Sequence, residues 1–443
     1  MMLSMRQACF KRLIPAVRSL CNLAAAGTTT KIDLSGEWLS DVYPDMSLVS
    51  SQRDRLVDSL IKRIRVKDKA SAEEKVDELK QCFDLYQLNS KKFENLKSKF
   101  DSMHKKIAID GNSWDKQSLE YYDLKDDVTK AKLEREEAYT NLITMYQTFP
   151  NLLEDISLDS TYQLTLPNLE TVTQNVRAPA LSPVGGSQPQ LGTYLTGQKA
   201  VMELELSSFT ADYLEECSFV PVTFPSFLRR EVTEKSGMSN GADADIYTLL
   251  TKSELHADGD SVRDTKTTRK PKVEDYFVFQ ARGLCDLTLM TFFLRRSAKK
   301  ALPVRLYSIG NQYRMPYSGK LSQSKMGLFL AASKTKDEAF DEFFSGLALI
   351  ERFWNALDIN VEKKVVEHHQ LAQHEAYAVE FVMTSKSDKS HVVSRMSLSC
   401  DYISRRLMAY SSYSHPKTDC HSNTFCHFTS GELIDINSLL AIL

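Results

Sequence analysis

The sequence predicts an α+β protein: an N-terminal antiparallel helical hairpin of coiled-coil type, then a body with a mainly antiparallel sheet flanked by helices. Two observations carry this. Between Val76 and Met145, apolar residues recur at spacings of three and four in two segments separated by a turn-forming stretch. Beyond Pro167 the pattern changes to short β-type runs, Pro-, Gly- and Ser-rich loops, and amphipathic stretches of helical period.

The first segment has its own character. From Met1 to Ile32 there are Arg6, Lys11, Arg12, Arg18 and Lys31, and no acid before Asp33. Charges and Pro15 interrupt any apolar core that a secretory signal would need, so residues 1–32 match a mitochondrial targeting peptide, with a plain basic tail as the alternative. The remainder divides into a helical domain over 33–166 and a second domain over 167–443.

In the hairpin, Val76, Leu79, Phe83 and Tyr86 make one seam and, after a phase slip, Phe93, Leu96, Phe100, Met103 and Ile107 continue it. "IDGNSWD" (109–115) offers the left-handed conformations of a reversal. Tyr121, Leu124, Val128, Ala131, Ala138, Leu142 and Met145 then make the return seam, interrupted by Arg135, and Pro150 ends it. Each seam is the only apolar surface the other can reach, so the two fold back together. About 35 residues per helix give an arm about 50 Å long.

Charge along the arm is uneven. Lys91, Lys92, Lys97, Lys99, Lys105 and Lys106 stand against Glu94 and Asp101, a surplus of four positive charges in a chain of net charge −2. A nearly neutral chain has no overall attraction to nucleic acid, so any such binding is local, and these lysines are the candidate RNA contacts. A solvated helix face is the plainer alternative. With 42% hydrophobic and 26% charged residues the composition is that of a globular protein, and no window approaches eighteen consecutive apolar residues, so no membrane span is expected. The eight cysteines are scattered, as in a reducing compartment. Cys420, His421, Cys426 and His427 lack the loop spacing of a zinc site, and no metal is expected there.

The body opens with a loop over 177–194. "GQKAVMELELSSFTADYLEE" then predicts a helix, and β-type runs follow at Tyr276–Gln280, Val304–Ile309, Gly327–Ala332, Ala376–Met383 and His391–Leu398. "DEAFDEFFSGLALIERFWNALDI" predicts a helix between two of them, and 253–275 is a polar loop.

Taken in order, several segments resemble those of seryl-tRNA synthetases, a class II aminoacyl-tRNA synthetase family. They are the arm ending in "FPNLLEDIS", then "SFVPVTFPSFLRREV" with Pro225 like motif 1, "LPVRLYSIGNQYRMPYSG" like motif 2, "SCDYISRRLMAYSS", and "CHFTSGELIDINSLLAIL" like motif 3. The resemblance runs from about Ile32 to Leu443 and implies a class II synthetase-like body over 167–443. It also implies a subunit interface around Phe219, Val222, Phe224 and Pro225.

Departures from the pattern fall on the residues that handle ATP. The motif 2 arginine is present as Arg314, but the acid two residues on is Pro316, which accepts no side-chain hydrogen bond. The glutamate and serine that hold Mg²⁺ in the family fall on Val392 and Arg395, its asparagine on Leu398, and the motif 3 arginine on Ser438. The Thr-x-Glu that reads the seryl group falls on Ala281 and Gly283. Losing one contact to a developing charge typically costs about 100- to 1,000-fold in rate, so these replacements predict a chain that is not an enzyme and has no cofactor. Leader, arm and replaced motifs are most like a catalytically inactive mitochondrial paralogue of the family in insects. That resemblance implies a matrix protein acting by binding in support of mitochondrial translation and homeostasis. Its partners would be mitochondrial seryl-tRNA synthetase or a second copy of itself, tRNA or other mitochondrial RNA, and a matrix ATP-dependent protease. The competing readings are a divergent active serine-tRNA ligase or other adenylating enzyme, and a coiled-coil structural protein.

Overall fold

The two seamed segments form the helices their spacing predicts. The computed structural model describes residues 42, 44–110, 114–158, 164–181, 194–224, 227–229, 232–233, 236, 246–248, 277–280, 285–294, 302–314, 322–385, 389–412 and 424–443. The chain divides into a helical unit, Pro44–Leu152, and a second unit formed by Leu153–Leu443 with Met1–Tyr43.

The helical unit contains α1 (Arg53–Lys62), α2 (Lys69–Asp110) and α3 (Trp114–Thr148). At 1.5 Å per residue, the 42 residues of α2 extend about 60 Å. Val76, Leu79 and Phe83 of α2 and Ala131, Ala138 and Leu142 of α3 are buried, as the seams require. Ring pairs show the antiparallel register: Tyr86 lies 5.4 Å from Tyr139, and Phe100 lies 5.1 Å from Tyr121. Between them, the Arg135 guanidinium sits 4.4 Å from the centre of the Phe93 ring. The residue that interrupts the apolar spacing is therefore accommodated by a cation–π contact and does not break the seam. Of the reversal expected at 109–115, residues 109–110 and 114–115 belong to the two helices and 111–113 lie outside the described residues.

The helical unit ends at Leu152, ahead of the boundary at 166 that the sequence suggests. The cause is packing: Leu153 joins Val366, Leu371 and Ala378, the Glu154 amide donates to the Ala376 carbonyl, and Leu166 belongs to the core of the second unit.

That core is built on a seven-stranded sheet. Its strands are β1 (Val220–Pro221), β2 (Val304–Arg314), β3 (Ser322–Ser333), β4 (Glu362–Val365), β5 (Tyr377–Thr384), β6 (Ser390–Cys400) and β7 (His427–Asp435). Their spatial order is β1-β2-β3-β7-β6-β5-β4, with β1 parallel to β2 and every other pairing antiparallel. The polar edge strand β4, exposed along its length, and the motif 3 strand β7 were not among the β-type runs of the sequence. A small three-stranded sheet pairs Phe277–Gln280 with Phe227–Arg229 and Ile246–Thr248.

Four helices matter to the site: α4 (Gln198–Glu216), α5 (Asp286–Met290), α6 (Lys336–Ala356) and α8 (Ile436–Ile442), with α7 (Tyr402–Leu407) between the last two. Helix α6 starts where Thr335 and Glu338 cap each other's backbone, the capping box written in "TKDE". Phe343, Phe353 and Trp354 of α6 pack with Phe329, Met396 and Leu398 of the sheet. The approach is close. A Cβ at Gly431 of β7 would overlap the ring of its cross-strand partner Phe329, and one at Gly346 of α6 would require the end of the Met396 side chain to shift. Arg305 of β2 adds a buried two-pronged pair to Glu342 of α6, its Nε 2.9 Å from Oε2.

Candidate functional site

Opposite α6, the sheet carries a polar row. Ser308, Leu328, Glu432, Arg395 and Glu380 are direct cross-strand partners in succession on β2, β3, β7, β6 and β5, so all five share one face. The next row places Ser430 beside Ser397. An irregular register between Phe381 and Val382 puts Val392 opposite Val382, on the same face as Arg395 although the two are three positions apart. Val392 is about half exposed there.

Arg395 is the centre of this face. Its Nε and Nη2 donate to the two oxygens of Glu375 at 2.9 and 2.6 Å, and its Nη1 donates to Glu380 at 2.6 Å. Glu375 precedes β5 and is buried; it also accepts from the Ser397 hydroxyl at 2.5 Å and from the Ala372 amide at 2.8 Å. Burial alone would raise the Glu375 carboxyl, but the Arg395 charge and these donors outweigh it and hold the group down at about 2. Burial opposes the Arg395 charge too, yet Glu375, Glu380 and Glu432 raise it further above its ordinary range. Beside this network, Ser430 donates to Asp286 at the start of α5 at 2.8 Å, and buried His374 lies 4.0 Å from the same carboxylate. Toward the other end, Gln312 faces Ser324 across β2 and β3, fully buried with neither amide atom partnered.

The residues expected to handle ATP are not all brought together. Val392 and Arg395 share the face, but Leu398 is fully buried on the opposite side, in the core under α6. The side chain that β6 offers the site next to Arg395 is Ser397. Ser438 lies in the first turn of α8, where its amide and hydroxyl donate to Asp435 at 2.9 and 2.6 Å. Ser324 donates to the same carboxylate. Arg314 ends β2, and its side chain, like Pro316, Ala281 and Gly283, lies outside the described residues.

On the arm, Lys91, Lys97, Lys99 and Lys105 are exposed, with the Lys97 ammonium 5.9 Å from the Phe93 ring centre. Lys92 is committed elsewhere: it bridges to Glu134 of α3 at 2.7 Å and ties the helices together. The side chain of Lys106 lies outside the described residues. Of the interface residues, Phe219 is 1% exposed and its ring packs 5.3 Å from Phe329, so it is core and offers no area to a partner. Val222 and Phe224 are half-buried against the second core cluster, and Pro225 lies outside the described residues.

Among the described residues, no group of three or more His, Cys, Asp or Glu is placed to hold a metal ion, and no helix is long and apolar enough to cross a membrane. Of the four residues weighed for zinc, Cys426 is buried, with its thiol pushed up to about 12 by burial, while Cys420 and His421 lie outside the described residues.

No family model matches the sequence, and no curated protein does. Solved structures do. Over 90% of this chain, the fold is similar to that of the cytoplasmic serine-tRNA ligase of Naegleria fowleri in complex with AMP. The match covers 92% of that chain, with a TM-score of 0.62 and 14% identity. It is likewise similar to seryl-tRNA synthetase of Pyrococcus horikoshii complexed with ATP, over 90% of this chain and 93% of that one, with a TM-score of 0.64 and 15% identity. The chain thus has the α+β fold of class II seryl-tRNA synthetases, helical arm included.

These matches correct one expectation. The replaced residues pointed to a chain that is not an enzyme, whereas the structures sharing its fold are ligases with AMP and ATP bound, and no described residue shows that catalysis is lost. The expectation looked for carboxylates only at fixed sequence positions. The sheet supplies others from neighbouring strands, Glu380 and Glu432 beside Arg395 and Glu375 before β5, none of which had been singled out. The signal for Glu380 was an acid inside an apolar strand run, in "YAVEFV".

The Glu375 pair has a pH signature. A carboxyl whose folded value lies below its unfolded value adds stability that is present above the ordinary carboxylate range and is lost as pH falls toward 2. Urea unfolding between pH 6 and about 2.5 is therefore expected to show stability declining below pH 5, with that acid limb flattened in Glu375→Gln. Glu375→Ala, which leaves the part-buried Arg395 guanidinium with Glu380 as its remaining carboxylate hydrogen-bond partner, is expected to cost up to about 3 kcal/mol. An unchanged acid limb in Glu375→Gln would show that the pair sets none of the pH dependence.

Proposed function

We propose that the chain is a seryl-tRNA-synthetase-like protein of mitochondrial translation that binds tRNA through its helical arm. Its synthetase-like body would pair with a seryl-tRNA synthetase subunit or with a second copy. The observation that carries this reading is the likeness of fold over nine-tenths of the chain, arm included. The exposed lysines at 91, 97, 99 and 105 support the RNA contact, because phosphate recognition needs positive charge and little geometry.

Replacing Lys97, Lys99, Lys105 and Lys106 with glutamine is expected to weaken mitochondrial tRNA binding and to lower the log–log salt slope by about 2 to 4, at roughly 0.7–0.9 per lost phosphate contact. Sequence preference should hold, since phosphate contacts position a ligand and base contacts specify it. Unchanged affinity and slope would reduce these lysines to a solvated face.

The matrix location rests on the acid-free, basic leader before Asp33. Fractionation of cells expressing the tagged full chain is expected to recover it from matrix extract, with a seryl-tRNA synthetase subunit or a second copy at stoichiometric yield. Recovery as a cytosolic monomer would overturn both the address and the pairing.

A second reading, adenylate chemistry at the sheet face, is favoured by the AMP and ATP held by the two structures of like fold. Serine-dependent exchange of pyrophosphate into ATP, abolished by Arg314→Ala, is its expected signature. Absence of exchange with intact tRNA binding would leave the first reading alone.

A further inference from the structure

We propose that Arg395 is a resident cation, built into the sheet at the place where the family resemblance puts a divalent metal ion, and that this face takes up neither Mg²⁺ nor Mn²⁺. The inference rests on the fold and not on RNA binding or on adenylate chemistry.

The residues present do not fit a metal. The two positions that would hold it are Val392, which has no donor atom, and Arg395, which is itself a cation; both face the same side of β6. A divalent ion of this kind needs a near-octahedral set of oxygens at about 2.0–2.1 Å. The best-placed carboxylate has none to give. Glu375 Oε1 accepts from Arg395 Nε and from Ser397 Oγ, and its Oε2 accepts from Arg395 Nη2 and from the Ala372 amide. All four acceptor positions of that carboxylate are thus filled by protein donors.

The guanidinium is equally committed, with Nε and Nη2 on Glu375 and Nη1 on Glu380. A metal ion approaching Glu380 and the neighbouring Glu432 would meet this fixed positive charge at close range, in surroundings where Glu375 is 3% exposed and screening by water is weak. Three carboxylates around one arginine give the cluster net negative charge, so it is the filled acceptor set of Glu375 and the guanidinium held against Glu380, and not a lack of acids, that keeps a second cation out.

Paramagnetic resonance of Mn²⁺ titrated into the purified full chain tests this, alongside thermal unfolding with Mg²⁺ or with a chelator. The wild type is expected to leave Mn²⁺ free at submillimolar concentration and to melt at the same temperature in both buffers. Arg395→Ser frees Glu375 and Glu380 and adds a hydroxyl; it is expected to bind about one Mn²⁺ per chain and to regain melting temperature when the metal is added. Mn²⁺ bound by the wild type and lost in Glu380→Gln would overturn the proposal, as would a folded Arg395→Ser that binds none. Should Arg395→Ser fail to fold with or without metal, Arg395→Lys decides. It keeps a cation in place and is expected to exclude Mn²⁺, and uptake of the ion by that variant would overturn the proposal. None of these readouts depends on tRNA or ATP, so failure here is distinguishable from failure of the proposed function.

Discussion

A guanidinium in the middle of a seven-stranded sheet is tolerable only if it is neutralised and fully hydrogen-bonded, and the arrangement around Arg395 follows from that requirement. Glu375 must arrive from outside the ladder, because a strand residue beside Arg395 could meet the guanidinium from one side only. The turn before β5, held by the Ala372 amide on the Glu375 carboxylate, provides the approach. Glu380 then closes the cluster from the adjacent strand in direct register. Only the β5–β6 part of this face is given to these charges. Toward β2 and β3 the same face packs Leu306, Leu328 and Leu330 with Leu289, Met290 and Phe293, and the rest of the hydrophobic stabilisation must come from elsewhere. Much of it comes from the other face, where α6 packs Phe343, Phe353 and Trp354 onto the strands. Some polar atoms on that side are tied in. Trp354 Nε1 donates to Ser394 Oγ, which donates in turn to the Leu433 carbonyl.

The helical unit handles the charge within its seam differently. Arg135 would be an error in a purely apolar seam, but the Phe93 ring gives its guanidinium a partner without an acid, and Lys92 with Glu134 closes the same level from the outside. One of the six lysines is thereby spent on holding the helices together. Among the described side chains, the positive surface of the arm includes the exposed Lys91, Lys97, Lys99 and Lys105.

Periodicity made the arm legible because a hairpin of two helices has only one interface, and every buried side chain in it answers to the same spacing. The central strands and α6 were legible for a related reason, being long and apolar. The edge strand β4 was not, since "EKKV" buries nothing and forms only because β5 presents unpaired backbone groups to it. Phe219 was assigned to a surface because its segment is apolar throughout. The ring of Phe329, which claims it, lies on a strand more than a hundred residues away, and no local pattern announces such a contact. Likewise, Leu398 and Ser397 are one residue apart and equally plausible on paper. Pairing of Ser397 with Ser430 decides which one faces the polar row.

That last pair shows why counting residues against a family pattern stops short of chemistry. A position in a motif is a place along the chain, whereas a catalytic group is a place in space, and strands separated by long loops can deliver charge to the same place. At Val392 and Arg395, where the resemblance leads one to expect a carboxylate and a hydroxyl, the same face carries Glu375 and Glu380 around a fixed cation, with Glu432 in the adjoining register. A guanidinium held in this way is a charge that cannot leave, cannot polarise a bound water as a metal does, and cannot bridge two oxygens of a ligand at metal distances. Whatever the face binds must be matched to that fixed charge and to the carboxylates that already neutralise it. A metal–polyphosphate ligand, which in a metal-dependent site brings its own compensating cation, would have to find its positive partners elsewhere.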